Sequence, residues 1–110
     1  MYITHIGTNS LRSHKSPEVI AKEIVDIALT LKNPQNCVSV SSITHRSDNS
    51  KLNTKGLHVN HLLKSLCDNN SLGYIDNSNI NNKHLNFSNL HLNQLGTTLL
   101  ARNFLEHINA

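Results

Sequence analysis

The sequence contains no tryptophan, only two tyrosines and two phenylalanines, and no run among its 10 basic residues. Binding sites for single-stranded nucleic acids usually combine a basic groove with aromatic side chains on which the bases stack. The formal net charge of +3 is also slight. We therefore expect a plain solvated surface and no nucleic-acid partner.

Long apolar segments are missing as well, since no uninterrupted hydrophobic run approaches the roughly 20 residues that cross a bilayer. Met1 leads directly into an apolar strand, without the charged and apolar regions of a signal peptide. The sequence therefore predicts no membrane contact and, by default, a cytoplasmic location.

The scarcity of cysteine and glycine argues against several kinds of site. Cys37 and Cys67 are far apart in the sequence, and we expect two reduced, semi-buried thiols. The four glycines form neither a phosphate-binding loop nor a dinucleotide fingerprint. His58 and His61 lie three residues apart on a predicted helix, but a metal site needs further ligands. We interpret both as surface histidines and predict no metal site.

What the sequence does contain is an alternation of strand and helix patterns. An apolar strand over Tyr2 to Ile6 precedes a helix with Ser16 as its N-cap and Pro17 at its first position. Asn33-Pro34 ends this helix. Its predicted apolar stripe follows helical spacing and consists of Ile20, Ile24, Ile27 and Leu31.

Two further units of strand and helix follow. A strand over residues 37–43 leads through a polar loop, from Thr44 to about Asn53, into a helix that closes at residues 68–70. A short strand over residues 72–75 precedes a long asparagine-rich loop and a last helix with Asn93 as N-cap. The predicted buried faces of these two helices are Val59, Leu62, Leu63 and Leu66, and then Leu95, Leu99, Leu100, Phe104 and Ile108.

This alternation predicts an α/β fold with a parallel sheet and right-handed crossovers, in one domain over residues 1–110. The loops that follow the three strands gather at one edge of such a sheet, where ligands bind. Here those loops carry Asn9, the pair His45-Arg46, and the segment from Asp76 to His91. We expect the functional site among them.

Two short segments in these loops resemble sequence blocks of the SGNH (GDSL-type) hydrolases. Gly7-Thr8-Asn9-Ser10 is similar to the family's Gly-x-Asn-Asp block at a strand end. Ser88-Asn89-Leu90-His91 is similar to the Asp-x-x-His block before the last helix. The chain resembles the C-terminal part of such a domain. The resemblance implies a three-layer α/β/α architecture with a flavodoxin-like parallel sheet that is incomplete at its N-terminal side.

The same resemblance implies roles for individual residues. Asn9 would donate to the oxyanion, His91 would be the general base, and Gly7 would form the turn. The substrate would be a small ester or acyl compound, and no cofactor is implied. The family's nucleophilic serine, in a Gly-Asp-Ser block, has no counterpart, and the triad aspartate falls on Ser88. We therefore expect a truncated SGNH-type esterase domain that is weakly active or inactive.

The incomplete sheet leads to an alternative function. The strand from Tyr2 to Ile6 would form an open apolar edge, and such edges favour pairing with another chain. The chain would then be a non-catalytic binding or assembly module, and it would form a homo-oligomer through this edge.

Three further sets of residues leave alternatives open. Ser10 and Ser13 are nucleophile candidates by proximity alone, or else turn and cap hydroxyls. Asp76 either replaces the missing triad aspartate beside His91 or caps its own turn. The pair His45-Arg46 either binds a substrate carboxylate or phosphate or lies in a solvated loop.

Overall fold

The computed structural model describes all residues 1–110. Two short 3-10 helices, Asn9–Arg12 and Asn82–His84, lie in the loops. The strands and α-helices alternate along the chain in the order β1 (Tyr2–Thr4), α1 (Pro17–Leu31), β2 (Val38–Ser41), α2 (Ser50–Asn69), β3 (Gly73–Ile75) and α3 (Gln94–Ile108).

The three strands form one parallel sheet in the order β1-β2-β3, so the predicted α/β class and parallel sheet are confirmed. β2 is central, and β1 lies at an edge of the sheet, as expected for the strand from Tyr2 to Ile6. β2 is shorter than expected because the backbone of Ile43 turns away from the ladder. The backbone N–H and C=O of Ile43 are both hydrogen-bonded to the side chain of Asn60.

One face of the sheet carries the apolar core. Val38 and Val40 of β2 are almost fully buried, and α1 and α2 pack on this side and against each other. The cluster comprises 13 buried residues: Leu11, Ile20, Ala21, Ile24, Val25, Ala28, Val38, Val40, Ile43, Val59, Leu63, Cys67 and Leu72. Because side chains alternate along a strand, Ser39 and Ser41 point to the opposite face.

The opposite face is polar, and α3 lies on it. Ser39 Oγ is 2.7 Å from Nε2 of His107 on α3. The helices therefore lie in two layers, one on each side of the sheet, and the predicted α/β/α architecture is confirmed.

The predicted apolar faces of α1 and α3 are partly wrong. Ile27 of α1 is 48% exposed, since the buried face of α1 turns toward Ala21, Val25 and Ala28 instead. α3 buries only Gly96 and Asn103, and its Leu95 is 57% exposed. The reason for the second error is that α3 packs on β3 and on the 3-10 helix Asn82–His84, and these leave the rest of its apolar face uncovered.

Side-chain caps fix where the helices begin. Ser16 Oγ accepts a hydrogen bond from the N–H of Val19, and Asn93 Oδ1 accepts one from the N–H of Gly96, which confirms both predicted N-caps. α2 begins at Ser50, three residues before the loop was predicted to end, because Asn49 caps it through the N–H of Leu52.

The two cysteines are free, but they are not alike. Cys37 is exposed and Cys67 is buried in the core, so the expectation of two semi-buried thiols is wrong in both cases. Among the helices, none combines the length and the hydrophobicity that a membrane crossing requires.

Candidate functional site

The turn after β1 depends on Gly7. Its φ of +119° lies in the region that L side chains rarely adopt. A Cβ at this position would lie 2.9 Å from Cδ1 of both Ile24 and Ile43, two residues of the core. The backbone of the turn therefore lies directly on the core, and the loop that follows it is held at the carboxyl end of the sheet.

Asn9 begins the 3-10 helix that follows this turn. The N–H of Ser10 donates to Gly7 O at 3.0 Å, and Leu11 anchors the helix because its side chain is buried in the core. Lys55 of α2 reaches over and donates from Nζ to the carbonyl oxygens of Leu11 and Ser13, each at 3.0 Å. Asn9 is thus an exposed residue on an anchored turn.

His91 lies on a loop that is bonded from two sides. Its carbonyl oxygen accepts from the N–H of Asn86 at 2.8 Å. The carbonyl of Asn89, whose φ is +59°, accepts from the N–H groups of Ser47 and Asp48. The loop is therefore tied to the segment that follows β2.

The structure brings these two loops together around one cavity. A pocket of about 480 Å³ is lined by both Asn9 and His91, together with Gly7, Ser10 and Thr44. The other lining residues are His5, Ile6, Thr8, Leu90 and Leu92. The side chains of Asn9 and His91 are not held by any hydrogen bond to the protein, and both are exposed. They are free to meet a ligand in this pocket.

Ser88 lies near His91 in sequence, but its hydroxyl serves the loop. Ser88 Oγ accepts from the N–H groups of Leu90 and His91 at 3.2 and 3.1 Å and donates to Asn86 Oδ1. It makes no hydrogen bond to the His91 imidazole. The ring therefore lacks a partner that would fix its orientation and tautomer.

Other residues proposed from the sequence are separated from this pocket. Asp76 Oδ1 accepts from the N–H of Ser78 in its own turn, and Asp76 lines a different cavity. Ser13 Oγ donates to Ser10 O, as a cap hydroxyl does. Neither residue is placed to act with His91.

A polar network that the sequence did not reveal extends from His5, which lines the pocket, to the buried side chains of Ser41 and Asn77. Ser41 Oγ accepts from Nδ2 of Asn77 at 2.7 Å and lies 2.8 Å from Nδ1 of His5. Asn77 Oδ1 in turn accepts from Asn103 of α3. Ser41 thus links the imidazole of His5 to the carboxamide of Asn77. Partial desolvation lowers the pKa of the His5 imidazole.

A second cavity, of about 150 Å³, opens between the ends of β2 and β3 and the helix α2. Thr44 lines both this cavity and the pocket of Asn9 and His91. Arg46 lines it as well, although its side chain is only 2% exposed. The hypothesis of a solvated loop is therefore wrong for Arg46.

Metal-binding groups are dispersed in this structure. No group of three or more histidine, cysteine, aspartate or glutamate side chains is placed to hold a metal ion. His58 Nε2 lies 3.8 Å from Oε1 of Glu18, and both side chains are at least half exposed.

The fold and the pocket together define a class: an α/β/α protein with a parallel sheet and a polar pocket at the carboxyl ends of its strands. Comparison with solved structures gives this class a concrete neighbour. The chain is similar to a member of the lipolytic protein G-D-S-L family from Veillonella parvula, with a TM-score of 0.76 and 22% sequence identity. No family model and no curated protein matches the sequence.

The match covers 96% of this chain but only 61% of the Veillonella parvula chain. The fold expected from the sequence resemblance is thereby confirmed: nearly the whole chain adopts an SGNH hydrolase-like fold, and its sheet is incomplete. At this identity the likeness establishes the fold alone.

Proposed function

We propose that residues 1–110 are part of an SGNH-type esterase domain that acts on a small ester or acyl compound. The observation that carries the proposal is the single pocket lined by both Asn9 and His91. Their two loops are 82 positions apart in the chain, and the two residues match the two family blocks. The similarity in fold to a lipolytic G-D-S-L family protein supports the same assignment.

The chemistry follows from the side chains. In ester hydrolysis, a base takes the proton of the nucleophile and later returns it to the leaving group, and His91 fits this role. The carboxamide N–H of Asn9 would stabilise the negative charge that develops on the carbonyl oxygen. Gly7 holds the turn that carries Asn9.

This chain alone is expected to hydrolyse esters weakly or not at all. Ser10 lines the pocket, but no serine hydroxyl is hydrogen-bonded to the His91 imidazole, so the base has no nucleophile to activate. Ser88 has no negative charge with which to stabilise an imidazolium, and loss of that carboxylate costs about 10⁴-fold in a serine triad.

The first experiment supplies the nucleophilic serine and the carboxylate that this chain lacks. A segment that ends in a strand followed by Gly-Asp-Ser is joined ahead of Met1, in a chain that also carries Ser88→Asp. An aspartate can keep the two hydrogen bonds that Ser88 accepts, because Asp side chains accept from N–H groups two or three residues ahead, and it loses only the bond that Ser88 donates to Asn86. We expect hydrolysis of p-nitrophenyl acetate to appear and His91→Ala to abolish it.

A matched variant separates this activity from the general reactivity of imidazoles. His14→Ala removes an exposed histidine that does not line the pocket and is expected to leave the rate unchanged. Asn9→Ala is expected to lower kcat by about 10²–10³. If the folded chain, checked by circular dichroism, hydrolyses the ester equally well with and without His91, the proposal is wrong.

A second candidate function is assembly through the edge of the sheet. β1 pairs with β2 on one side only, and Tyr2 of β1 is 46% exposed. The N–H of Tyr2 donates to Cys37 O across the sheet, so the next N–H, that of Ile3, points outward. An outward row of this kind can pair with the same strand of a second copy.

Ile3→Pro tests this alternative, because proline removes the outward N–H without removing a bond between β1 and β2. If the chain assembles through β1, light scattering shows a dimer that Ile3→Pro converts to a monomer and Ile3→Val does not. A monomer at all concentrations, already in the unaltered chain, rules this function out.

A further inference from the structure

The second cavity contains an unusual combination, a buried arginine with one free nitrogen. Arg46 donates from Nε to Oδ1 and from Nη2 to Oδ2 of Asp48, each at 2.7 Å. Nη1 makes no hydrogen bond within the protein. Among the side-chain nitrogen and oxygen atoms that are fully enclosed, Thr4 Oγ1 alone lacks a hydrogen-bond partner. Nη1 of Arg46 also lacks a partner, so it is not fully enclosed and contacts open space.

Asn53 supplies a second free donor to the same cavity. Its Oδ1 accepts from the backbone N–H of Arg46 at 3.0 Å, which fixes the orientation of the carboxamide. Nδ2 of Asn53 has no partner in the protein. Arg46 and Asn53, which are bonded to each other and each have an unused donor, therefore line one small space.

The charged side chains around the cavity balance one another, and Arg46 supplies the positive charge at its wall. Asp48 also lies 3.6 Å from Nη2 of Arg12, so these three side chains together carry one net positive charge. Asp76 lines the same cavity and adds a negative charge at its exposed side. A dianion such as phosphate would be repelled by Asp76 more strongly than a monoanion.

We propose that this cavity binds a small monocarboxylate, which accepts hydrogen bonds from Nη1 of Arg46 and Nδ2 of Asn53. Guanidinium and carboxylate form strong charge-assisted hydrogen bonds, and burial of Arg46 strengthens them. The volume of about 150 Å³ limits the ligand to a carboxylate with few carbon atoms. Because Thr44 also lines the pocket of Asn9 and His91, the bound carboxylate lies next to that pocket. The proposal does not depend on hydrolysis, because binding is measured directly.

Amide resonances of the ¹⁵N-labelled chain test the proposal with three probes of similar size. Acetate is expected to shift the amides of residues 44–46, Asn53 and Ser78 in a saturable manner. Acetamide, which has the same shape without the charge, is expected to shift none of them. Inorganic phosphate is expected to bind more weakly than acetate.

Variants then connect the binding to its donors. Arg46→Gln removes the positive charge, and Asn53→Asp keeps the acceptor for the Arg46 N–H but replaces the Nδ2 donor by a negatively charged carboxylate oxygen. Each is expected to weaken acetate binding at least about tenfold, which is the range for loss of a charge-assisted hydrogen bond. Arg102→Gln removes an equal charge from the exposed side of α3 and controls for general electrostatics.

The use of two variants protects the test if Arg46→Gln fails to fold, because Asn53→Asp leaves the Arg46–Asp48 pair intact. The proposal is overturned if acetate and acetamide give the same shifts, if acetate shifts only residues elsewhere, or if folded Asn53→Asp binds acetate as the unaltered chain does. It is also overturned if Arg102→Gln weakens binding as much as the cavity variants.

Discussion

Replacing Gly7 by alanine tests whether the turn beneath the candidate site is held as the structure indicates. A non-glycine residue held at a positive φ of this size costs about 1–3 kcal/mol. The new Cβ would lie 2.9 Å from the methyl carbons of Ile24 and Ile43. Both are side-chain ends, but they belong to buried residues, and overpacking of a core costs about 1–3 kcal/mol.

The opposing effect is small. Alanine restricts the unfolded chain more than glycine does, which stabilises the fold by about 0.4–1 kcal/mol at a compatible site. We therefore expect Gly7→Ala to lower the free energy of unfolding by roughly 2–4 kcal/mol. For a domain whose total stability is about 5–15 kcal/mol, this is a substantial part.

The assay is urea unfolding followed by circular dichroism, with Gly56→Ala as the matched control. Gly56 lies within α2, where alanine improves helix propensity by about 1 kcal/mol. The nearest contact of a new Cβ there is Cδ1 of Leu11 at 3.3 Å, which requires only a small shift. We expect Gly56→Ala to stay within about 1 kcal/mol of the unaltered chain. If Gly7→Ala is no more destabilising than Gly56→Ala, the reasoning about this turn is refuted.

Three further predictions concern pH, thiol reactivity and the buried network. The hydrogen bond from Arg46 lowers the pKa of Asp48, so its stabilising contribution is present above the ordinary pKa of about 4 and is lost as pH falls through the lower folded-state value. The difference in urea midpoint between the chain and Asp48→Asn should therefore shrink from pH 7 to pH 3, and a constant difference would contradict it. Burial raises the pKa of Cys67 to about 11, so Ellman's reagent at pH 8 should modify Cys37 rapidly and spare Cys67, whereas two fast equivalents would oppose this. Asn103→Ala leaves Asn77 Oδ1 without its donor and should lower the free energy of unfolding in urea by about 1–3 kcal/mol. A decrease below about 0.5 kcal/mol, which is typical of a surface substitution, would contradict this prediction.

Much of the fold could be predicted because its signals are local. Ser16 with Pro17, and Asn93 alone, mark helix starts that the structure confirms, since capping depends on residues three positions apart. Asn49 carries the same signal for α2, but the polar residues around it predict a longer loop than the structure has.

Burial was predicted less well, because it depends on what covers a helix. Ile27 and Leu95 fit an apolar periodicity, yet both are largely exposed. A helical pattern identifies a face, but only tertiary packing decides which part of that face is covered. Arg46 is the converse case, since a charged residue in a polar loop is buried by its pairing with Asp48.

The candidate site was partly predictable for a related reason. The carboxyl ends of parallel strands meet at one edge, so Asn9 and His91 were expected near each other, and they line one pocket. The direction of the Ser88 hydroxyl was not predictable, because it depends on the turn formed with Asn86. The network of His5, Ser41 and Asn77 joins residues far apart in sequence, and no local pattern marks it.

The measurement that tests the central proposal most directly is the sequence of the transcript upstream of the Met1 codon. If these residues belong to an SGNH-type esterase domain, the reading frame continues upstream and encodes a strand followed by Gly-Asp-Ser, the nucleophile that His91 lacks. An in-frame stop codon immediately ahead of Met1 would contradict the catalytic proposal, and assembly through the edge of β1 would then be the function to pursue.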